Sequence, residues 1–461
     1  MNSIAHQRPL GTTGDETDAQ RTRGRADNSA GDLASRRLCT VVEVKPHSGP
    51  SDSRPTEPAW VVGVGMTPFA VRREASVKDL TREAVTGALR DAGAQLADID
   101  AAYFGNTVQA VLEGQVVVAG QMALRSMGFE RIPMVNVENA CATAATALHQ
   151  AVLHVRSGAG DIVLAVGVDK TNIDDKDKML AVFDGGVDVH DGDGVRAILH
   201  ELGGDVTAGG AERRSLFMNI YAALARSHME TFGTTKHQLA IVSEKNHLHA
   251  VHNPLAHFRK AMSVDEILTA RTIVEPLTLP MCAPLTDGAA AAIVCNSEGL
   301  RRLAATRPIR VLSTVIQTGS RRTLSDWAAS VSRRTAQAAY EQAGVGPHDV
   351  SVAEVHDASA FGEVLQTEMM GFCEIGAGGK LGESGATTLG GSIPVNTSGG
   401  LESKGHPMGA TGLAQIYELV GQLRGENGAR QVPGARIALA ENGGGMYAGE
   451  EAVAAVTILG A

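Results

Sequence analysis

Aromatic side chains are scarce in this chain: nine Phe, five Tyr and two Trp among 461 residues. A core with so few rings is closed by small aliphatic side chains, and the 53 glycines let elements approach closely. No apolar run approaches the roughly 18 residues that cross a bilayer, which excludes a membrane-spanning helix. Basic charge is not in excess, with 41 Lys and Arg against 51 Asp and Glu and a formal net charge of −10. Nucleic acid is therefore excluded as a partner, and a cytoplasmic setting is expected. The five cysteines (Cys39, Cys141, Cys282, Cys295 and Cys373) have no CxxC and no paired spacing, which argues against a disulfide framework and against a bound metal.

Residues 1–58 are rich in Arg, Asp, Ser, Thr and Gly and carry no clustered apolar residues. That composition predicts a disordered extension without a secretory h-region. From Trp60 onward strands alternate with helices, which predicts an α/β fold of mostly parallel sheets covered by helices. Between about 172 and 275 the pattern loosens into polar helices and loops. That stretch contains a cluster of histidines (His247, His249, His252 and His257) without metal-ligand spacing, expected as a solvated surface.

The second half repeats the first. Ala92-Gly93 and its following strand match Ala343-Gly344, Thr146-Ala147-Leu148 matches Thr411-Gly412-Leu413, and Ile162–Ala165 matches Ile437–Ala440. This predicts a duplicated unit, with halves at 59–307 and 308–461 and an inserted loop domain at about 172–275. The second match sets His406 opposite Cys141.

An alternating segment (Ile132, Met134, Val135, Val137) predicts a buried strand, and an Ala/Thr run with Leu148, Val152 and Val155 at helical spacing follows. Cys141 therefore falls at a strand-to-helix junction. Orphan N–H groups and the positive helix end there would lower its pKa toward the thiolate. Taken alone, a cysteine is most often a small buried apolar side chain; the histidines change that balance. His406 opens Gly405-His406-Pro407-Met408-Gly409 at a helix start and can take the thiol proton. His356 ends a strand in His356-Asp357-Ala358-Ser359 and can donate a hydrogen bond to a thioester oxygen, or merely cap a turn. Asn396, in Asn396-Thr397-Ser398-Gly399-Gly400, can hold polar groups or close a loop. Glu441-Asn442-Gly443-Gly444-Gly445 supplies backbone N–H groups for an oxyanion hole with the N–H of Cys141. A Cys and two His beside a glycine turn suit acyl transfer through a thioester. Peptide hydrolysis uses similar groups but needs no duplicated core.

These motifs resemble those of the thiolases, most closely the sterol-carrier-protein-2 type. The resemblance is carried by Asn139-Ala140-Cys141-Ala142-Thr143, by His356-Asp357-Ala358-Ser359 and by Ser398-Gly399-Gly400-Leu401-Glu402-Ser403-Lys404-Gly405-His406-Pro407-Met408-Gly409-Ala410-Thr411-Gly412. Lys245-Asn246-His247 and Asp287-Gly288-Ala289 agree as well. It covers residues 59 to 461. It implies a thiolase fold, a duplicated five-layered αβαβα core with an inserted loop domain, and a homodimer. It also implies acyl transfer on coenzyme A thioesters as substrates, with no resident cofactor. Carried over, Cys141 resembles the acylated nucleophile, His406 its base, His356 the thioester-oxygen donor and the Gly443 N–H part of an oxyanion hole. The second cysteine of thiolases, which moves an α-proton, falls on Ala358 or on Glu441, so Glu441, if burial raises its pKa, becomes the candidate proton carrier, while Ser359 is a poor base without help and is expected, with Asn396, to bind substrate. Three functions follow: an acyl-CoA C-acyltransferase of lipid metabolism, a decarboxylative ketosynthase-like condensing enzyme with a Cys-His-His centre, or an acyl-CoA-binding subunit. A small accessory protein is a compatible partner.

Overall fold

Ser76 opens the first helix of the folded region, accepting from the Asp79 N–H while the Asp79 carboxylate accepts from the Ser76 N–H. The helix, Val77–Ala92, ends on Gly93 at φ 67°, the left-handed geometry that glycine takes at little cost. Helix Val331–Ala343 is built alike, with Ser330 at its start and Gly344, φ 70°, at its end. In the computed structural model, which describes residues 57–203, 215–304 and 307–461, these two helices occupy corresponding places in two similar halves. All but the last two residues of the expected extension 1–58 lie outside the described residues.

The strands are β1 (Trp60–Met66), β2 (Ala101–Gly105), β3 (Met134–Val137), β4 (Ile162–Asp169), β5 (Thr272–Val274), β6 (Leu277–Thr278), β7 (Gly288–Cys295), β8 (Ile309–Thr318), β9 (Val352–Glu354), β10 (Ile437–Gly444) and β11 (Val453–Gly460). Nine of them run in the order β3-β2-β4-β7-β1-β8-β11-β10-β9. The halves meet where β1 and β8 share two residue pairs, Trp60↔Arg310 and Val61↔Ile309. The parallel pair β2/β4 and antiparallel pair β4/β7 of one half recur as β9/β10 and β10/β11 in the other. A parallel bridge from Ala353 to Val395 stands where β3 lies beside β2 in the first half. The sheet is therefore mixed, not mostly parallel as expected: β7 and β11 return directly against their neighbours. Apolar runs buried on both faces look alike in either direction.

Side-chain alternation divides the core into layers. Ala290, Ala292 and Val294 of β7 face the central helices Thr143–Arg156 and Thr411–Arg424, whereas Ala289, Ala291 and Ile293 face the outer helix Val77–Ala92. On the far side, Ala353, Leu439, Val456 and Ile458 meet helices Val331–Ala343 and Ala360–Met369. Helix, sheet, two central helices, sheet and helix make five layers. The central helices cross so tightly that a Cβ on Gly412 would stand 2.6 Å from the Ala145 backbone nitrogen. Small side chains at this crossing are what scarce aromatics and plentiful Gly and Ala permit.

Three expectations are corrected. The central helices run Thr143–Arg156 and Thr411–Arg424, so the repeat pairs Thr143 with Thr411 and Cys141 with Gly409. His406 approaches Cys141 across the crossing and is not its counterpart in the repeat. The short Thr-x-Leu match was in the wrong helical register. β3 is not a buried strand: it ends the sheet, and Val135 on it is 46% exposed. The histidine cluster is not all solvated, since His247 and His249 are buried on helix Lys236–Val251. There Ser403 Oγ lies 3.0 Å from His247 Nδ1, and His249 spans the Asn396 carbonyl and the Leu389 N–H. Burial holds His249 down at about 3, a neutral ring. A polar helix covered by matching polar groups carries no apolar signature in the sequence. Among the described residues, no helix is long and apolar enough to cross a membrane.

Candidate active site

Cys141 lies in a single 3-10 turn, Ala140–Ala142, between β3 and helix Thr143–Arg156. Ala140 before it has φ 48°, a left-handed backbone costly for any residue with a Cβ, and such strain collects at functional sites. The turn is held by the Ala140 N–H donating to Glu138 (2.5 Å) and the Asn139 N–H donating to Thr143 Oγ1 (2.8 Å). A Cβ on Gly444 would stand 2.3 Å from the Asn139 carbonyl oxygen and 2.9 Å from the Ala142 nitrogen. β10 therefore presses bare backbone against the cysteine turn.

His406 Nε2 is 3.3 Å from Cys141 Sγ, and His406 Nδ1 is 2.7 Å from Thr411 Oγ1. Thr411 gives its own proton to the Pro407 carbonyl (3.1 Å), so its oxygen accepts from His406 Nδ1–H. That network assigns the tautomer: the free lone pair sits on Nε2, facing the sulfur. Asp169 at the end of β4 accepts from the N–H groups of Thr107 and Gly409 at 2.9 and 2.5 Å. It ties the His406 segment to the first half, and burial raises it to about 6. His356 completes the group, its ring centroid 5.2 Å from that of His406. Neither of its ring nitrogens has a hydrogen-bond partner among the described residues.

The electrostatics run against the expected thiolate. Burial pushes the Cys141 thiol well up, and the charges of Glu451, Asp169 and Glu138 add to it; its own backbone N–H opposes them and loses. Burial also drives His406 far below the ordinary imidazole range, helped by His356 and Lys404. Loss of water around the sulfur and the negative charges beside it both disfavour the thiolate, and together they outweigh what the helix start offers. The resting pair is a neutral thiol hydrogen-bonded to a neutral imidazole, and proton transfer accompanies attack.

Cys141, His356, His406 and Ala358 line a cavity of about 780 Å³ with Met408, Gly444, Gly445 and Glu451. Much of the rest of its lining is apolar: Leu180, Phe183, Phe217, Met218 and Ile273, with Tyr221 among them. The other candidates lie elsewhere. Ser359 caps helix Ala360–Met369, accepting from the Gly362 N–H. Asn396 is fully buried, its amide bonded to Glu363 and to the Val355 N–H. Glu441 lies behind His356, whose backbone N–H donates to it at 2.9 Å. Burial and the Glu451 charge hold the Glu441 carboxyl well above the usual carboxylate range. Gly443 packs under the Glu451 carboxylate, and Gly444 and Gly445 of the same turn face the cavity instead.

Sequence reasoning missed Glu451. It precedes β11, accepts from Ser332 Oγ (2.5 Å) and Gln366 Nε2 (3.2 Å), and reaches 3.7 Å from His356 Nδ1. The available signal was an acidic pair, Glu450-Glu451, abutting a strand that is apolar but for Thr457, beside the glycine turn.

The thiolase N-terminal domain model matches residues 59–298 and the thiolase C-terminal domain-like model residues 313–460. This chain belongs to the thiolase family. It is accordingly an acyl-CoA C-acyltransferase. Among its relatives, an acetyl-CoA acetyltransferase of Methanothermobacter thermautotrophicus is 38% identical, over 84% of this chain and 96% of that one. Sterol carrier protein 2 of Bos taurus is 36% identical, over 83% of this chain and 69% of that one. Among solved structures, the Ltp2-ChsH2(DUF35) aldolase shares the fold, with a TM-score of 0.70 and 23% identity over 88% of this chain and 98% of that one.

Proposed function

We propose that the protein carries an acyl group from coenzyme A on Cys141 and passes it to a carbon nucleophile, using a bulky apolar acyl chain. The observation that carries this is the 3.3 Å contact from His406 Nε2 to Cys141 Sγ, with Thr411 fixing the ring tautomer, at one end of an apolar cavity. In the first half-reaction the Cys141 proton passes to His406 Nε2 as sulfur attacks the thioester carbonyl. His356 donates to the carbonyl oxygen, and the departing coenzyme A sulfur takes the proton back from His406. The N–H groups of Cys141 and of the Gly444-Gly445 turn, on the same cavity lining, are the backbone donors offered to that oxygen. Lys260, exposed on the cavity lining, suits the phosphates of coenzyme A. No bound cofactor enters this scheme.

The open edge of β3 supports a homodimer, since Val135 lies on it and Val116 and Val117 nearby in the chain are 71% and 66% exposed. Light scattering should give the mass of two chains, and the mass of one chain removes this part of the reading. The Ltp2-ChsH2(DUF35) name supports an accessory protein as a further partner. Ala358 in the cavity wall keeps the decarboxylative condensing reading as the second choice, because that chemistry needs no α-proton base.

The main test weighs the intact protein after incubation with a panel of acyl-CoAs. A mass increase equal to the acyl group, lost in Cys141→Ser, is expected. A chain that takes up no acyl group from any member is not an acyltransferase of this kind.

A further inference from the structure

The site holds one nucleophile and two imidazoles, but the group that would move an α-proton in carbon–carbon bond formation is missing from the expected positions. Ala358 in the cavity wall has nothing to offer, and Glu441 is behind His356. Cys282 also lines the cavity, but its sulfhydryl points to the Thr278 carbonyl oxygen, 3.4 Å away. Glu451 is different. It lines the cavity that holds Cys141, and of all charges around that sulfur it acts most strongly. Two donors from separate helices fix it: Ser332 Oγ at 2.5 Å to Oε2 and Gln366 Nε2 at 3.2 Å to Oε1. A Cβ on Gly443 would stand 1.8 Å from Oε1, so the glycine turn makes room for this carboxylate and seats it against the backbone.

We infer that Glu451 is the base that removes the α-proton of the second acyl-CoA. This rests on the acyl-transfer reading above. In the step, the α C–H bond of the incoming acyl-CoA breaks and its proton goes to Glu451 Oε. The carbon attacks the Cys141 thioester carbonyl, a C–C bond forms, and the C–S bond breaks with its electron pair left on Sγ. The proton then passes from Glu451 to Cys141, which restores both groups and balances the reaction without any further reagent. Two features suit the carboxylate to this work. Burial and the Glu451 charge hold the neighbouring Glu441 carboxyl well above the usual carboxylate range, and of the two only Glu451 lines the cavity. His356, 3.7 Å from Oε1, can hold the enolate oxygen as the proton leaves.

The test separates the two half-reactions. Wild type, Glu451→Gln, Glu451→Asp and Cys282→Ala are each assayed for acylation of Cys141 by intact mass. Each is also assayed for exchange of α-hydrogens of an acyl-CoA with deuterated water. The Gln variant is expected to accept the acyl group, since removing a negative charge beside the sulfur does not oppose acylation, while its α-exchange falls at least about 100-fold. The Asp variant, with its carboxylate drawn back by one methylene, should lie between, and it decides the matter if the Gln variant does not fold. Cys282→Ala tests the competing assignment to the second thiol on the cavity lining, under which exchange is lost in this variant and kept in the Glu451 variants. Undiminished exchange in both Glu451 variants overturns the assignment, as does loss of exchange confined to Cys282→Ala. If wild type forms no acyl adduct, the acyl-transfer reading fails first and takes this inference with it.

Discussion

Replacing Thr411 by Val tests the tautomer argument at a single atom. Valine keeps the shape of threonine in a fully buried position but removes the oxygen 2.7 Å from His406 Nδ1. Two outcomes are then open to the ring, and both are costly. It can keep the proton on Nδ1 and leave a buried N–H without a partner, or it can move the proton to Nε2. A proton on Nε2 faces the sulfur and leaves no lone pair for the thiol proton. An unmet buried donor costs about 1–3 kcal/mol, and whatever part of this falls on the reactive tautomer appears in the barrier. At 1.36 kcal/mol per decade, Cys141 acylation should slow by about 5- to 150-fold. The assay is a rapid-quench time course of the acyl adduct by mass, with Thr411→Ser as the control that restores the hydroxyl. A valine variant that acylates at the wild-type rate while the melting curve shows it folded would refute the claim that Thr411 sets the base.

Glu441→Gln should become progressively more stable than wild type as pH rises. The folded carboxyl titrates well above its usual 4.5, so the native state keeps a proton that the unfolded chain releases. Stability is therefore lost as pH climbs between the unfolded and folded values, at about 1.4 kcal/mol per pH unit, and is restored below the unfolded value. Glutamine escapes that loss, so melting points compared at pH 5 and pH 8 should diverge, and an equal difference at both pH values contradicts it. Gly444→Ala should destabilise by about 1–3 kcal/mol, because the added carbon meets the backbone of Asn139 and Ala142, which cannot swing away. Denaturant titration measures it, and an unchanged midpoint shows that the turn has slack.

The local grammar of this chain was legible without coordinates. Helix Val77–Ala92 closes on Gly93, one of the glycines of the repeat, Cys141 sits at a strand-to-helix junction, and His406 precedes a helix that begins with Thr411. These follow from caps, glycines and hydrophobic period, which act within a few residues. The duplication was legible too, although its register was not, because a three-residue match does not say which turn of one helix faces which turn of the other.

What the sequence determined by itself was the set of chemical groups and the elements that carry them: a thiol, two imidazoles and a glycine turn on paired α/β units. What only the tertiary structure decided was which of these groups meet, and in what charge state. The Cys141–His406 contact joins residues far apart in the chain, and the partner that fixes the His406 tautomer is known only from which oxygen lies beside Nδ1. Glu441, Asn396 and Ser359 looked equally available on paper, yet folding turned each to a neighbouring backbone N–H and brought Glu451 to the cavity. Proton affinity depends on how much water each group loses and which charges remain within a few ångströms. Both are properties of the packed interior, so the expected thiolate became a neutral thiol only once the layers closed around it.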